Sequence, residues 1–324
     1  MKIFRSIHMN DAGFSYPCVT IGNFDGVHRG HQRLFASVVE KARVHNGTSI
    51  VVTFDPHPLQ VLLPEGIKLI SSCEQKIELI EAAGIDVLIL LPFSAEFAKT
   101  AAEEFVSDFL VGELGIQELV VGYDYAFGKG RRGDIPFLQQ QGQVFGFPVT
   151  VIEGYHVAGQ LVSSSRIRDL VRNGEMRNAR QLLGRSYQIR GTVRFGRQRG
   201  GSLVGFPTAN LLFNRDDLVP KHGVYVVEVL YSGTCYGGIL NIGCNPTFGG
   251  QDLVAETHIF DFNRDIYDQS LRINLLQYLR GEQRFNSVAD LSAQIEKDVV
   301  QAKKVLHDHA LRCDDLQDGT RSAA

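Results

Sequence analysis

Over its first half the chain alternates short, near-continuous apolar runs with segments of helical period. The apolar runs, rich in Val and Ile, occupy residues 18–22, 49–54, 87–91, 119–122 and 149–152. Unbroken apolarity fits strands buried on both faces. Between them, Leu34, Val38, Val39 and Ala42 repeat at helical spacing, Ile77, Ile80, Glu81 and Gly84 end a second such segment, and Phe97, Ala101, Phe105, Phe109 and Leu110 mark a third. This alternation predicts an open parallel sheet with helices on both faces. Ligands of such sheets sit at the carboxyl ends of the strands. The pattern changes near Gly184, after a helical stretch over 175–183. From Tyr187 to Leu279 strands follow one another with turn residues between, which predicts a small antiparallel barrel or sandwich. A helix then opens on Ser287 and Asp290, spaced as a capping box, with Val288, Leu291, Ile295, Val299 and Ala302 along one face. The expected organisation is a first domain over 1–184, a second over 185–312 and a polar, disordered tail over 313–324. Two domains also suit 324 residues, at about 150 residues each.

Composition narrows the function. Lys+Arg 33 against Asp+Glu 36 leaves a net charge of −3, without the basic surplus of a general nucleic-acid binder. No apolar stretch approaches the roughly 20 residues of a membrane span, and Met1-Lys2-Ile3-Phe4-Arg5 opens no apolar h-region, so no signal peptide is expected. The cysteines, Cys18, Cys73, Cys235, Cys244 and Cys313, are odd in number, widely spaced and free of any C-x-x-C. Reduced thiols in a cytoplasmic protein are the expectation.

The sharpest local signal is Ile21-Gly22-Asn23-Phe24-Asp25-Gly26-Val27-His28-Arg29-Gly30-His31, which follows the first of the buried runs and leads into a helix. Glycines allow close approach of backbone and ligand, and a helix N-terminus offers free N–H groups to phosphate. His28 and His31, three apart, share a face on a first helical turn. There they can stabilise charge developing on a phosphate oxygen, bind a metal as a histidine pair, or simply belong to a tight strand-to-helix turn. Ser163-Ser164-Ser165-Arg166-Ile167-Arg168 opens a later helix and reads either as a phosphate cradle or as an ordinary N-cap. Phe54, Tyr125 and Phe127 suit stacking on a flat ring or packing in the core.

A second constellation lies in the barrel half. Gly205-Phe206-Pro207-Thr208-Ala209-Asn210-Leu211 follows Gly196, Gly200 and Gly201. Glycines free amides for phosphate, while Thr208 and Asn210 alternate along an extended segment and can face the same way. A hydroxyl and an amide oxygen are hard ligands suited to Mg²⁺. The alternative is a Gly-Pro turn entering a strand.

The string from Gly22 to His31 carries H-x-G-H, and resembles the nucleotidyltransferase superfamily and, more specifically, the bacterial bifunctional riboflavin kinase/FMN adenylyltransferases (FAD synthetases). Thr53-Phe54-Asp55-Pro56-His57-Pro58, Val121-Gly122-Tyr123-Asp124-Tyr125-Ala126-Phe127-Gly128 and the serine-arginine string are similar to that family's other motifs. Gly205 to Asn210 resembles the G-x-P-T-A-N of riboflavin kinases. Gly223-Val224-Tyr225, Asn241-Ile242-Gly243-Cys244-Asn245-Pro246-Thr247-Phe248 and Glu256-Thr257-His258-Ile259-Phe260-Asp261-Phe262 match as well. The resemblance implies a Rossmann-like α/β nucleotidyltransferase domain followed by a six-stranded antiparallel β-barrel kinase domain with a C-terminal helix. It implies His28 and His31 as catalytic for adenylylation and Glu256 as base for phosphorylation. Gly22, Asn23, Phe24, Gly30, Ser164, Ser165, Arg168, Gly205 and Pro207 would bind ATP; Phe54, Pro56, His57, Asp124, Tyr125 and Phe127 the flavin; Thr208 and Asn210 the metal. Mg²⁺ is expected at both sites, with ATP, riboflavin, FMN and FAD as substrates or products and no nucleic-acid or membrane partner.

Three positions depart from the family pattern. The stretch before Gly205 reads Gly200-Gly201-Ser202-Leu203-Val204, one residue longer and without the usual basic residue; Ser165 replaces a Thr; Asp124 stands where an amide is frequent. The rival readings are a class I aminoacyl-tRNA synthetase, which lacks here its K-M-S-K-S-like loop, and a flavin- or nucleotide-sensing module in which Glu256 and both histidines would be dispensable.

Overall fold

The structure is a computed structural model that describes residues 1–6, 13–194, 208–245 and 252–321, of which 245, 252 and 311–321 are described by their backbone alone. It divides into two units, Met1–Ile167 with Leu182–Gly184, and Arg168–Gln181 with Arg185–Ala324.

The first unit is built on strands β1 (Lys2–Phe4), β2 (Pro17–Ile21), β3 (Thr48–Asp55), β4 (Val87–Pro92), β5 (Glu118–Gly122) and β6 (Val149–Ile152). They form one six-stranded sheet in the order β1-β4-β3-β2-β5-β6, parallel throughout. All five apolar runs thus become neighbouring strands. The short β1 at the edge carries no such run; it pairs Lys2, Ile3 and Phe4 with Val87, Leu88 and Ile89 of β4, and the Lys2 amide also donates to the Asp86 carbonyl at 2.8 Å. One face of the sheet packs Ile50, Ile89 and Leu119 against Phe105, Phe109 and Leu138. The other packs Val51, Leu88 and Val120 against Leu34, Phe35 and Val38 of α1 (Arg29–Val44) and Ile80 of α3 (Cys73–Ala82). A short α2 (Pro58–Leu62) lies between those two helices in the chain. The third helical segment departs from the expected α-helix. After a 3₁₀ turn (Phe97–Lys99) and one α turn, α4 (Ala102–Glu104), residues Phe105–Glu113 form a π-helix. Its wider winding places Phe105, Val106, Phe109 and Leu110 together in the core.

Strand order reverses between β2 and β5, so the carboxyl ends of β2, β3 and β5 flank the point where a doubly wound sheet takes its ligand. Helix α5 (Ile135–Phe145) precedes β6, and a hairpin of β7 (His156–Val157) and β8 (Gln160–Leu161) leads to α6 (Ser164–Arg172). The sequence boundary at 184 is one of chain order. The second half of α6 and α7 (Met176–Leu183), as far as Gln181, group with the second unit, because the Lys221 amide donates to the Val171 carbonyl at 3.3 Å and the Arg177 guanidinium to Gln277 Oε1 at 2.6 Å.

The second unit is a six-stranded antiparallel sheet in the order β10-β13-β12-β11-β14-β9. The strands are β9 (Tyr187–Thr192), β10 (Ala209–Leu212), β11 (Gly223–Tyr231), β12 (Thr234–Asn245), β13 (Asp252–Ile259) and β14 (Ser270–Arg280). Beyond β9, the Arg194 amide donates to the Asn210 carbonyl at 2.8 Å, bringing the two edges together into a nearly closed barrel. Tyr225, Leu240, Ile242 and Leu275 fill the interior. On the outer face, Val224, Val226, Ile239 and Phe260 receive Ile295, Val299 and Ala302 of α8 (Val288–Arg321). This helix starts as expected, with the Asp290 amide donating to Ser287 Oγ at 3.1 Å, and runs on into much of the polar tail.

Helix α8 is pinned by a buried ion pair. Arg280 Nη2 meets Asp298 Oδ2 at 2.7 Å, and Asp298 is 3% exposed. Removing one partner of such a pair strands the other in the interior, so Asp298→Ala is expected to destabilise the barrel unit by about 3–5 kcal/mol. Denaturant unfolding followed by circular dichroism measures it; a loss under about 1 kcal/mol would place the pair among ordinary surface bridges.

Candidate active sites

The loop from Gly22 to His28 leaves the carboxyl end of β2 in a contorted path. Phe24 (φ +48°), Gly26 (φ +79°) and Val27 (φ +38°) all lie in the left-handed region, which is unusual for a ring-bearing and a β-branched residue. Strain of this kind persists only where the surroundings over-determine it. Here Asp25, 4% exposed, does so. Its carboxylate accepts from the Ile70 amide at 3.0 Å and the Ser71 amide at 3.2 Å, while the Gly26 amide donates to Ser71 Oγ at 3.0 Å. Ser164 Oγ donates to the Asp25 carbonyl at 2.9 Å. A Cβ at Gly26 would stand 2.8 Å from Ile70, so both the space and the φ demand glycine. Asp25 and Ser71 hold the loop, yet neither was singled out from the sequence, because Ser71 is remote in chain order and only the fold brings the two together.

The loop delivers His28 to the N-cap of α1, where its Nδ1 accepts from the His31 amide at 3.3 Å. A neutral ring accepting at Nδ1 carries its proton on Nε2, as a donor. The two imidazoles stack, 3.5 Å apart at 20°, and Phe24 meets the His31 ring edge-on at 5.1 Å. Gly30 passes against the His28 ring, 3.2 Å from its would-be Cβ. Gly22, Asn23, Phe24, His28, Gly30 and His31 are therefore brought together at the carboxyl end of the central strand β2.

The flavin candidates also leave carboxyl ends, of β3 and β5. Phe54 packs edge-on to Phe93 (5.6 Å, 81°). Tyr125 stacks on Phe127 (5.6 Å, 21°), which continues through Phe105 at 5.3 Å. The Tyr125 hydroxyl is buried without a hydrogen-bond partner, and burial pushes its pKa up. An unsatisfied buried hydroxyl costs about 1–3 kcal/mol, and Phe54, Tyr125 and Phe127 all pack against the apolar core on one face of the sheet. Phe127 also pairs with Gly133, whose would-be Cβ lies 2.4 Å from the Phe127 ring. Pro56 follows a cis peptide bond, and His57 caps α2, its Nδ1 accepting from the Leu59 amide at 3.1 Å. Asp124 is exposed on the turn after β5. Ser165 is exposed and Arg168 is 6% exposed on α6, whose first turn is capped by Ser163 Oγ accepting from the Arg166 amide.

In the barrel, register makes the second group. Glu256 of β13 stands opposite Asn210 of β10 and Asn241 of β12. Residues directly opposite share a face. Their neighbours Ala209, Thr257 and Leu240 are buried inside, so Glu256, Asn210 and Asn241 lie on the outer face. Burial raises the Glu256 pKa above the ordinary carboxylate range. Asn241 was not assigned a role from the sequence; the register signal that finds it needs the strand pairing. Thr208 is exposed just before β10. Gly205 and Pro207, with Gly196, Gly200, Gly201 and Ser202, lie outside the described residues.

A doubly wound sheet with H-x-G-H at its switch point, joined to a small barrel with a strand carboxylate, defines a nucleotidyltransferase-type domain coupled to a kinase-type domain. Family comparison agrees. Residues 14–166 match FAD synthetase and residues 183–306 match riboflavin kinase. A bifunctional riboflavin kinase/FMN adenylyltransferase of Escherichia coli is 36% identical, over 94% of this chain and 97% of the relative. One from Listeria monocytogenes is 38% identical over 86% and 89%. The chain belongs to the bifunctional riboflavin kinase/FMN adenylyltransferase family. A solved structure described as a macrolide-efflux protein from Streptococcus pneumoniae superposes with a TM-score of 0.85 at 31% identity, covering 94% of this chain and 99% of that one. Efflux is said of that protein; among the described residues here, no helix is long and apolar enough to cross a membrane.

Proposed function

We propose that the chain makes FAD from riboflavin in two ATP-dependent steps, with adenylylation carried by residues 1–184 and phosphorylation by 185–312. The observation that carries this reading is the pair of constellations in separate units: His28 stacked on His31 at the α1 N-terminus, and Glu256 in register with Asn210 on the barrel.

In the barrel, Glu256 accepts the proton of the ribityl 5′-hydroxyl as its oxygen bonds to the γ-phosphorus of ATP; the bond to the β-phosphate oxygen breaks and ADP leaves. Such a base contributes roughly 10²–10⁴-fold. Thr208 and Asn210 offer hydroxyl and amide oxygens. No group of three His, Cys, Asp or Glu that could hold a metal occurs among the described residues. That donor set fits Mg²⁺, which takes few protein ligands and keeps phosphate and water. When bound, Mg²⁺ would neutralise charge on the transferring phosphate.

In the first unit, the FMN phosphate is already ionised near neutral pH and attacks the α-phosphorus of ATP, expelling pyrophosphate. No strong base is required. His28 and His31 stabilise charge on the α-phosphate and the leaving group, and the α1 N-terminus adds its N–H groups. Ser164, Ser165 and Arg168 of the same helix, α6, are assigned to the triphosphate, and Phe54, Tyr125 and Phe127 to the isoalloxazine. The described cysteines Cys18, Cys73, Cys235 and Cys244 are free thiols, which supports a reducing, cytoplasmic setting.

Incubation with riboflavin and MgATP, followed by chromatography of the flavins, tests the reading. FMN and then FAD are expected. Flavin binding without conversion would make the chain a sensor instead.

A further inference from the structure

Lys76 lies on α3 at 7% exposure, where a charged lysine is costly. Its ammonium bonds neutral oxygens of the loop after β2 and of strand β3. Nζ donates to the Phe54 carbonyl at 3.0 Å, to Thr53 Oγ1 at 3.4 Å and to the Asn23 carbonyl at 3.5 Å. Thr53 Oγ1 in turn donates to the same Asn23 carbonyl at 3.2 Å. Asn23 lies in the nucleotide loop after β2, and Phe54 is the penultimate residue of β3, ahead of the flavin segment. Burial lowers the Lys76 pKa, and the nearby Cys73, Asp25 and Asp55 side chains oppose the shift. Helix α3 does not need this lysine to stay docked, since Ile80 of the same helix is fully buried in the core. A methionine would fill the space without desolvating a charge. The lysine's bonds instead tie together the two segments that present the reactants.

We propose that Lys76 is a positioning residue for adenylylation: it fixes the backbones of Asn23 and Phe54 to one point, so that the FMN phosphate meets the α-phosphorus of ATP in line. The inference rests on the adenylylation reading above. Misplacement of reacting groups by an ångström lowers turnover far more than ground-state binding.

The test compares wild type and Lys76→Met in the full chain. Wild-type FAD formation from FMN and MgATP is measured first; its absence would remove the adenylylation reading itself. Given that activity, Lys76→Met is expected to lower kcat about 100-fold. The dissociation constants of ATP and FMN, by calorimetry, should stay near wild type, and riboflavin phosphorylation by the same preparation should be unchanged. A wild-type kcat, or a defect confined to ligand binding, would overturn the proposal. Should Lys76→Met fail to fold, Thr53→Val decides. It keeps the lysine but removes one acceptor of its ammonium and the hydroxyl's own bond to the Asn23 carbonyl, and kcat should fall about 10-fold, the combined worth of the two bonds. An unchanged kcat in folded Thr53→Val would then refute the positioning role.

Discussion

His28→Asn should lose FAD formation while keeping FMN formation. Asparagine keeps a side-chain acceptor at the N-cap, so α1 still starts normally. What disappears is the imidazole that stacks on His31 at 3.5 Å, and with it the Nε2 donor. Removing one preorganised donor from a developing oxyanion costs about 10²–10³-fold in kcat. A larger loss is reasonable for His28→Ala, where the cap goes too. Both activities are measured on one preparation, by chromatography of flavins after supplying riboflavin or FMN. Equal loss of both in a folded variant would show that the two reactions share a site.

Glu256→Gln should give the mirror result. Glutamine preserves size and hydrogen bonding but accepts no proton, so riboflavin phosphorylation should fall by roughly 10²–10⁴-fold. Adenylylation of supplied FMN should continue. The environment adds a pH signature. Burial raises the Glu256 pKa, and the base must be ionised to act. The kinase rate therefore falls as pH drops through a value above the usual carboxylate range, and that acid limb vanishes in Glu256→Gln. A kinase rate that persists in the variant with the same acid limb would remove Glu256 from the reaction.

What could be read in the sequence was whatever is local in the chain. The buried strands announced themselves by unbroken Val and Ile, and the sheet pairs them as expected. The loop from Gly22 to His31 was legible because glycines, a helix start and the histidine spacing sit within a few residues. The Ser287–Asp290 cap was legible for the same reason. What escaped was set by pairing and packing. Strand β1 is three residues long and held by its neighbour. The π-helix of Phe105–Glu113 has the same apolar spacing as an α-helix until its aromatic residues are packed. Asp25, Ser71 and Lys76 act on loops distant in sequence, so their roles appear only once the strands lie side by side. Asn241 becomes a neighbour of Glu256 through β-register alone.

The seam of the barrel has a consequence for how its chemistry can change. Asn210 contributes its main-chain carbonyl to the contact with Arg194, which leaves the amide side chain uncommitted to closure. Substituting that side chain alters the metal-ligand candidate while the zipper stays fastened. Ligand identity and architectural integrity are thus separable at one position.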